Sequence, residues 1–121
     1  MEIAYWIVAA LLAALYLFSG GKKAVQSKDQ LRPMMAWVDQ LPMPLTRTIG
    51  ILEILGAAGL ILPPLTGVAP ALALAAAIGL LLIQIGAIAL HLSRGEARAI
   101  GLNVVLLAAA AVTIWLSTVW L

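Results

Sequence analysis

The sequence predicts an all-α membrane protein, a bundle of four transmembrane helices with a short amphipathic surface helix between the first and second spans. Three observations carry this expectation. Of 121 residues, 64% are apolar and only 10% are charged, with a mean hydropathy of +1.13, where a soluble domain carries about 25% charged residues. Four apolar runs, at about 3–20, 46–62, 68–92 and 100–121, approach or exceed the length needed to cross a bilayer core of about 30 Å at 1.5 Å per residue. Finally, every Lys and Arg falls in two of the three connections.

The first span runs from Ile3 to Gly20, with Tyr5 and Trp6 at its outer end as interfacial aromatics. Its n-region holds Glu2 and no basic residue, unlike a secretory leader, so the segment is expected to stay in the membrane. Gly20 and Gly21 are expected to loosen its end before Lys22 and Lys23. In the following connection Leu31, Met34, Met35, Val38 and Leu41 recur at helical spacing around Trp37. Pro33 suits a first helical turn, and Pro42 and Pro44 end the segment. This predicts the amphipathic helix, near Pro33 to Leu41, lying on the membrane surface; a loop packed on the bundle is the alternative.

The second span, from Leu45 or Thr46 to Leu62, is expected to stop at Pro63 and Pro64. It carries Glu53, an ionisable group costing about 2.5–3.5 kcal/mol on insertion scales, and so demands a function or a buried partner. At 3.6 residues per turn Gly50, Gly56 and Ala57 share its face, and such small residues let a neighbouring helix close in. Glu53 is therefore expected to point into the bundle. The third span, from Val68 or Pro70 to Leu92, places Gln84, Ala87, Ile88 and His91 on one face. Gly79 and Gly86 suggest another close contact, within a protomer or between protomers of a homo-oligomer. The fourth span, Ile100 to Leu121, has Asn103 near its start and Trp115 and Trp120 near its end.

Lys22, Lys23, Lys28, Arg32 and Arg47 lie between the first two spans, and Arg94 and Arg98 between the last two. By the positive-inside rule both basic loops are cytoplasmic and both termini are outside. Glu53, Lys22, Lys23, His91 and Asn103 then occupy one layer of the inner leaflet, with Gln84 about two turns deeper than His91. Two roles are open to Glu53: proton-carrying chemistry, or an ion pair with Lys22, Lys23 or Arg47 that fixes packing. His91, the only histidine, is read first as hydrogen-bonded to Glu53, Asn103 or a loop carbonyl. Arg94 and Arg98 are read as topology signals and headgroup contacts. With no cysteine there is no disulfide or thiolate metal site, and one His with scattered acids does not suggest a metal centre. A net charge of +2, with the basic residues in loops between apolar runs, does not point to nucleic acid. A single domain is expected over residues 1–121.

Gly21 to Lys23, Leu41-Pro42, IGILEILGAAGLILP from Ile49 to Pro63, and HLSRGE from His91 to Glu96 followed by Asn103 resemble the DoxX-like family over nearly the whole chain. The resemblance implies a four-helix bundle in the plasma membrane, with Lys22 or Lys23, Glu53, His91 and Asn103 as shared polar positions. Some relatives are linked to thiosulfate:quinone oxidoreductase or to membrane oxidoreductase complexes. The residues and the resemblance together favour a non-enzymatic module in the lipid bilayer. Its polar cluster of Lys22, Lys23, Glu53, Gln84, His91, Arg94 and Asn103 would bind a lipid-like ligand (a quinone or isoprenoid) or a redox-complex partner. The alternatives are a quinone-linked oxidoreductase subunit and a small proton-coupled transporter. No resident cofactor is evident; a quinone is the one that this reading admits.

Overall fold

The computed structural model describes residues 1–33, 35, 38, 39, 41–96 and 100–121. Helices α1 (Glu2–Val25), α3 (Met43–Thr66), α4 (Leu72–Ser93) and α5 (Gly101–Leu116) are joined by a four-residue helix α2 (Lys28–Leu31), and a 3-10 turn (Ser117–Trp120) extends α5. Together with that turn, α5 gives a fourth segment that, like α1, α3 and α4, is long and apolar enough to cross a membrane. Helix α1 packs on α3 and α5, and α4 packs on α3 and α5, closing a four-helix ring.

Each helix turns a narrow stripe inward. The buried residues are Tyr5, Ala9, Leu12, Ala13, Tyr16, Gly20 and Lys23 on α1, and Thr46, Gly50, Glu53, Ala57 and Leu60 on α3. On α4 they are Ala73, Ala77, Leu80 and Gln84. Alternating steps of three and four give a period near 3.5 residues, the spacing of helices packed at a shallow crossing angle. Large apolar residues off the stripe, such as Ile7, Leu11, Leu55 and Leu82, are exposed, as a lipid-facing surface requires.

Several boundaries and contacts differ from the sequence expectation. Gly20 and Gly21 do not loosen α1. The helix continues to Val25 because Gly20 sits against α3: a Cβ there would lie 2.6 Å from the Gly50 carbonyl oxygen, and one on Gly50 would lie 2.7 Å from the Lys23 Cβ. The two glycines thus permit the closest approach of α1 and α3. Gly56 and Gly59 serve α4 likewise, against Leu80 and Ala76. Gly79 and Gly86 do not mark a close contact within the protomer; a Cβ on either meets nothing within 4 Å.

Pro63 and Pro64 do not stop α3, which runs to Thr66 and ends at Gly67 in the left-handed region (φ 74°). A proline at 64 cannot donate to the carbonyl of residue 60. That carbonyl instead accepts a hydrogen bond from the Tyr5 hydroxyl at 2.6 Å. Tyr5 is accordingly 0% exposed. Rather than an interfacial anchor, it is a core residue whose ring meets Trp6 and Trp120 edge-on. The reason is local: hydrocarbon offers no water to a carbonyl orphaned by proline, so a side chain must satisfy it. Trp115, by contrast, is 63% exposed, as an anchor at the membrane boundary would be.

The connection after α1 begins with Ser27, whose side chain accepts from the Gln30 N–H while the Gln30 side chain accepts from the Ser27 N–H. This capping box starts α2 at Lys28, ahead of the position expected from Pro33. Met34 and Trp37 of the expected surface helix lie outside the described residues. Leu31, Met35 and Val38 are buried together, with Met43 against them, so their apolar side faces protein. Arg32 clasps Asp29 (2.7 Å) and Asp39 (2.8 Å), tying the two ends of this segment together. The guanidinium holds the Asp39 carboxyl below its usual range.

Candidate functional site

The centre of the site is an ion pair between α1 and α3. Lys23 Nζ lies 2.5 Å from Glu53 Oε1, with Lys23 9% and Glu53 1% exposed. Of the three cations the sequence offered Glu53, the structure selects Lys23. Position explains the choice. Lys23 falls on the buried stripe of α1, seven residues after Tyr16, whereas Lys22 turns outward and lies over the Phe18 ring at 5.6 Å. Arg47 donates from Nη1 to the Lys23 carbonyl at 3.1 Å. This satisfies one of the acceptors that the last turn of α1 leaves open, and places a cation at the negative end of the helix.

A second bonded set joins α1, α4 and α5. Asn103 donates from Nδ2 to Gln84 Oε1 at 3.0 Å, and Gln84 donates from Nε2 to the Tyr16 hydroxyl oxygen at 2.7 Å. Sequence reading passed over Tyr16. Its position seven residues before Lys23, two turns back on one stripe, is the signal that would have found it.

His91 is in neither set. Its Nδ1 is 3.2 Å from Glu96 Oε1, which also accepts from Arg94 Nε at 2.7 Å. Gly95, at φ 73°, turns the chain so that Glu96 can fold back onto α4. Arg94 and His91 hold the Glu96 carboxyl below its usual range, Arg94 being the larger influence. The histidine thus bonds to a loop carboxylate, instead of the Glu53, Asn103 or loop carbonyl expected. Arg98 lies outside the described residues.

Between these groups is a cavity of about 710 Å³. Lys23, Glu53, Gln84, His91 and Asn103 all line it, together with Tyr16. Lys22 and Arg94 do not; Arg94 reaches it only through Glu96 and His91. The remaining wall is mostly apolar, including Leu15, Phe18, Ile49, Ile83, Leu90, Leu102 and Leu106. Phe18 and Leu102, on the neighbouring helices α1 and α5, are 57% and 65% exposed, so the cavity reaches the lipid-facing surface beside them. A separate groove of about 590 Å³ on the α3–α4 face is lined by residues such as Leu52, Leu55, Gly79 and Leu82 and carries no polar side chain. Among the described residues no three His, Asp or Glu side chains gather as a metal site would require.

The fold and site define a multi-pass α-helical membrane protein with a polar-ended cavity inside its bundle. The sequence pattern of the DoxX-like family matches residues 7–113, and the chain belongs to that family. No curated protein and no solved structure matches it.

Proposed function

We propose that this protein is a non-enzymatic membrane module that takes a lipid-like molecule, a quinone or an isoprenoid, into the cavity, with the head of the ligand at the polar groups and its tail along the apolar wall. The observation that carries the reading is the cavity itself. About 710 Å³ is within the usual range for ligand pockets, and an apolar wall with a few convergent polar groups is their usual lining. The exposed flanks at Phe18 and Leu102 give a bilayer-dissolved molecule a way in. Glu53, already paired with Lys23, fits a structural role in the cavity wall.

The test is native mass spectrometry and solvent extraction of protein purified in mild detergent. A co-purifying prenyl lipid is expected with the wild-type chain and is expected to be lost in Ala87→Phe, which adds bulk to the cavity from α4 and keeps both residues of the ion pair. Absence of bound lipid from wild type, or equal retention by the variant, rejects the reading.

The proposed site of action is the plasma membrane, with both termini outside and the basic loops cytoplasmic. The support is the charge asymmetry of the loops. Because the chain has no cysteine, single cysteines introduced at Ser27 and Thr66 report on each side alone. Labelling of Thr66→Cys but not Ser27→Cys by an impermeant maleimide on intact cells is expected; the reverse pattern overturns the orientation.

A further inference from the structure

The polar end of the cavity has a direction that narrows the kind of head it can receive. Asn103 donates to Gln84, Gln84 donates to Tyr16, and the chain of donors ends at the Tyr16 hydroxyl. The oxygen of that hydroxyl is an acceptor in this chain, so its proton remains to be given. The hydroxyl donates no hydrogen bond to a described residue, although Tyr16 is only 2% exposed and lines the cavity. A buried donor left without an acceptor is costly, so an acceptor brought into the cavity would be favoured there.

The charges around the cavity give the second constraint. Lys23 and Glu53 oppose each other at 2.5 Å. His91 and Arg94 share Glu96, and the Arg47 guanidinium donates to the Lys23 carbonyl. The basic residues that line the cavity, Lys23 and His91, are thus each paired with a carboxylate, and a phosphorylated head would bring two further negative charges into a low-dielectric space.

Building on the reading of the cavity as a lipid site, we infer that Tyr16 is its head-binding donor and that the head is an uncharged oxygen acceptor of the carbonyl class. Such a head accepts the one proton on offer and adds no charge. Asn103 and Gln84 act through Tyr16: they orient its hydroxyl by occupying its acceptor side.

Binding to the full chain in nanodiscs tests this with three probes: decylubiquinone, which carries carbonyl oxygens; decylbenzene, a tail and ring without them; and farnesyl monophosphate. Wild type is expected to prefer decylubiquinone over both others. Tyr16→Phe, which keeps the ring and removes the hydroxyl, is expected to weaken decylubiquinone by about 3–10-fold, the worth of one hydrogen bond, and to leave decylbenzene unchanged. A purely structural role for Tyr16 would weaken both probes alike and would overturn the inference. So would tighter binding of farnesyl monophosphate by wild type, a comparison that needs no variant. Loss of the preference in Asn103→Leu but not in Tyr16→Phe would reverse the donor chain and also reject Tyr16. If wild type binds none of the three, the lipid-site reading falls and takes this inference with it; if it binds all three equally, only the head assignment falls.

Discussion

Replacing either member of the Lys23–Glu53 pair should destabilise the bundle, and by unequal amounts. Lys23→Met leaves the Glu53 carboxylate 1% exposed and ten residues along α3 from Met43, about 15 Å from the helix start at 1.5 Å per residue. Its short side chain cannot reach water from there. Removing one partner of a buried pair costs about 3–5 kcal/mol because the other charge stays uncompensated. Glu53→Gln is different. Lys23 lies in the last turn of α1, two residues before Val25, and its four-carbon stem can carry the ammonium to the boundary. The cost should then approach the loss of one charge-assisted hydrogen bond, about 1.5–3 kcal/mol. Lys23→Met combined with Glu53→Leu removes both charges for apolar groups of similar length and should cost less than either single change, since such replacements are often neutral or stabilising. Reversible unfolding in mixed SDS–detergent micelles, followed by circular dichroism, measures all three. The reasoning is refuted if Glu53→Gln costs as much as Lys23→Met, or if the double variant costs as much as Lys23→Met alone.

Tyr5→Phe should cost about 1–3 kcal/mol by stranding the Leu60 carbonyl, and adding Pro64→Ala should recover much of that by restoring a backbone donor; the same unfolding assay reads the non-additivity, and simple additivity would refute the link. Gly20→Ala should destabilise by at least about 1–3 kcal/mol, since its Cβ would meet the backbone oxygen of Gly50 at 2.6 Å. Gly79→Ala should be neutral or stabilising by up to about 1 kcal/mol, because its Cβ meets nothing within 4 Å. A similar loss at both positions would contradict the packing described. The Glu96 clasp has a defined pH sign: the folded carboxyl is depressed by Arg94 and His91, so its contribution is present above the ordinary carboxylate range and is lost as pH falls through the lowered value. Acid titration of thermal stability should therefore show a loss on that limb that Glu96→Gln lacks.

What the sequence could reveal depended on whether a feature belonged to one helix or to two. The four spans and the inward face of Glu53 follow from length, hydropathy and helical period, all properties of single segments. The partner of Glu53 does not. Choosing Lys23 over Lys22 requires knowing that α1 stays helical through Gly20 and Gly21, and it does so because Gly50 of another helix accepts the contact. Pro63 and Pro64 read locally as a stop, yet the helix continues, with the Leu60 carbonyl bonded to Tyr5, distant in sequence. Gly79 and Gly86 resemble a packing motif as strongly as Gly20 and Gly50 do, and only the neighbouring helices separate the pairs.

The same reasoning explains why the cavity lies where it does. Gly20 and Gly50 draw α1 and α3 into a tight seam, and Lys23 and Glu53 close that seam with their charges opposed. Gln84, Asn103 and His91 stand on α4 and α5, on the far side. Had these groups bonded across to Glu53, the polar layer would have locked the four helices and left no room. Instead His91 turns to Glu96, Asn103 to Gln84, and among the described residues only the side-chain hydrogen bond between Gln84 and Tyr16 joins α1 to the α4–α5 side. Apart from that one bond, the pattern ties these polar groups to partners on their own side of the bundle and keeps the middle open. That separation, more than the presence of a carboxylate in a membrane helix, is what makes this layer the candidate site.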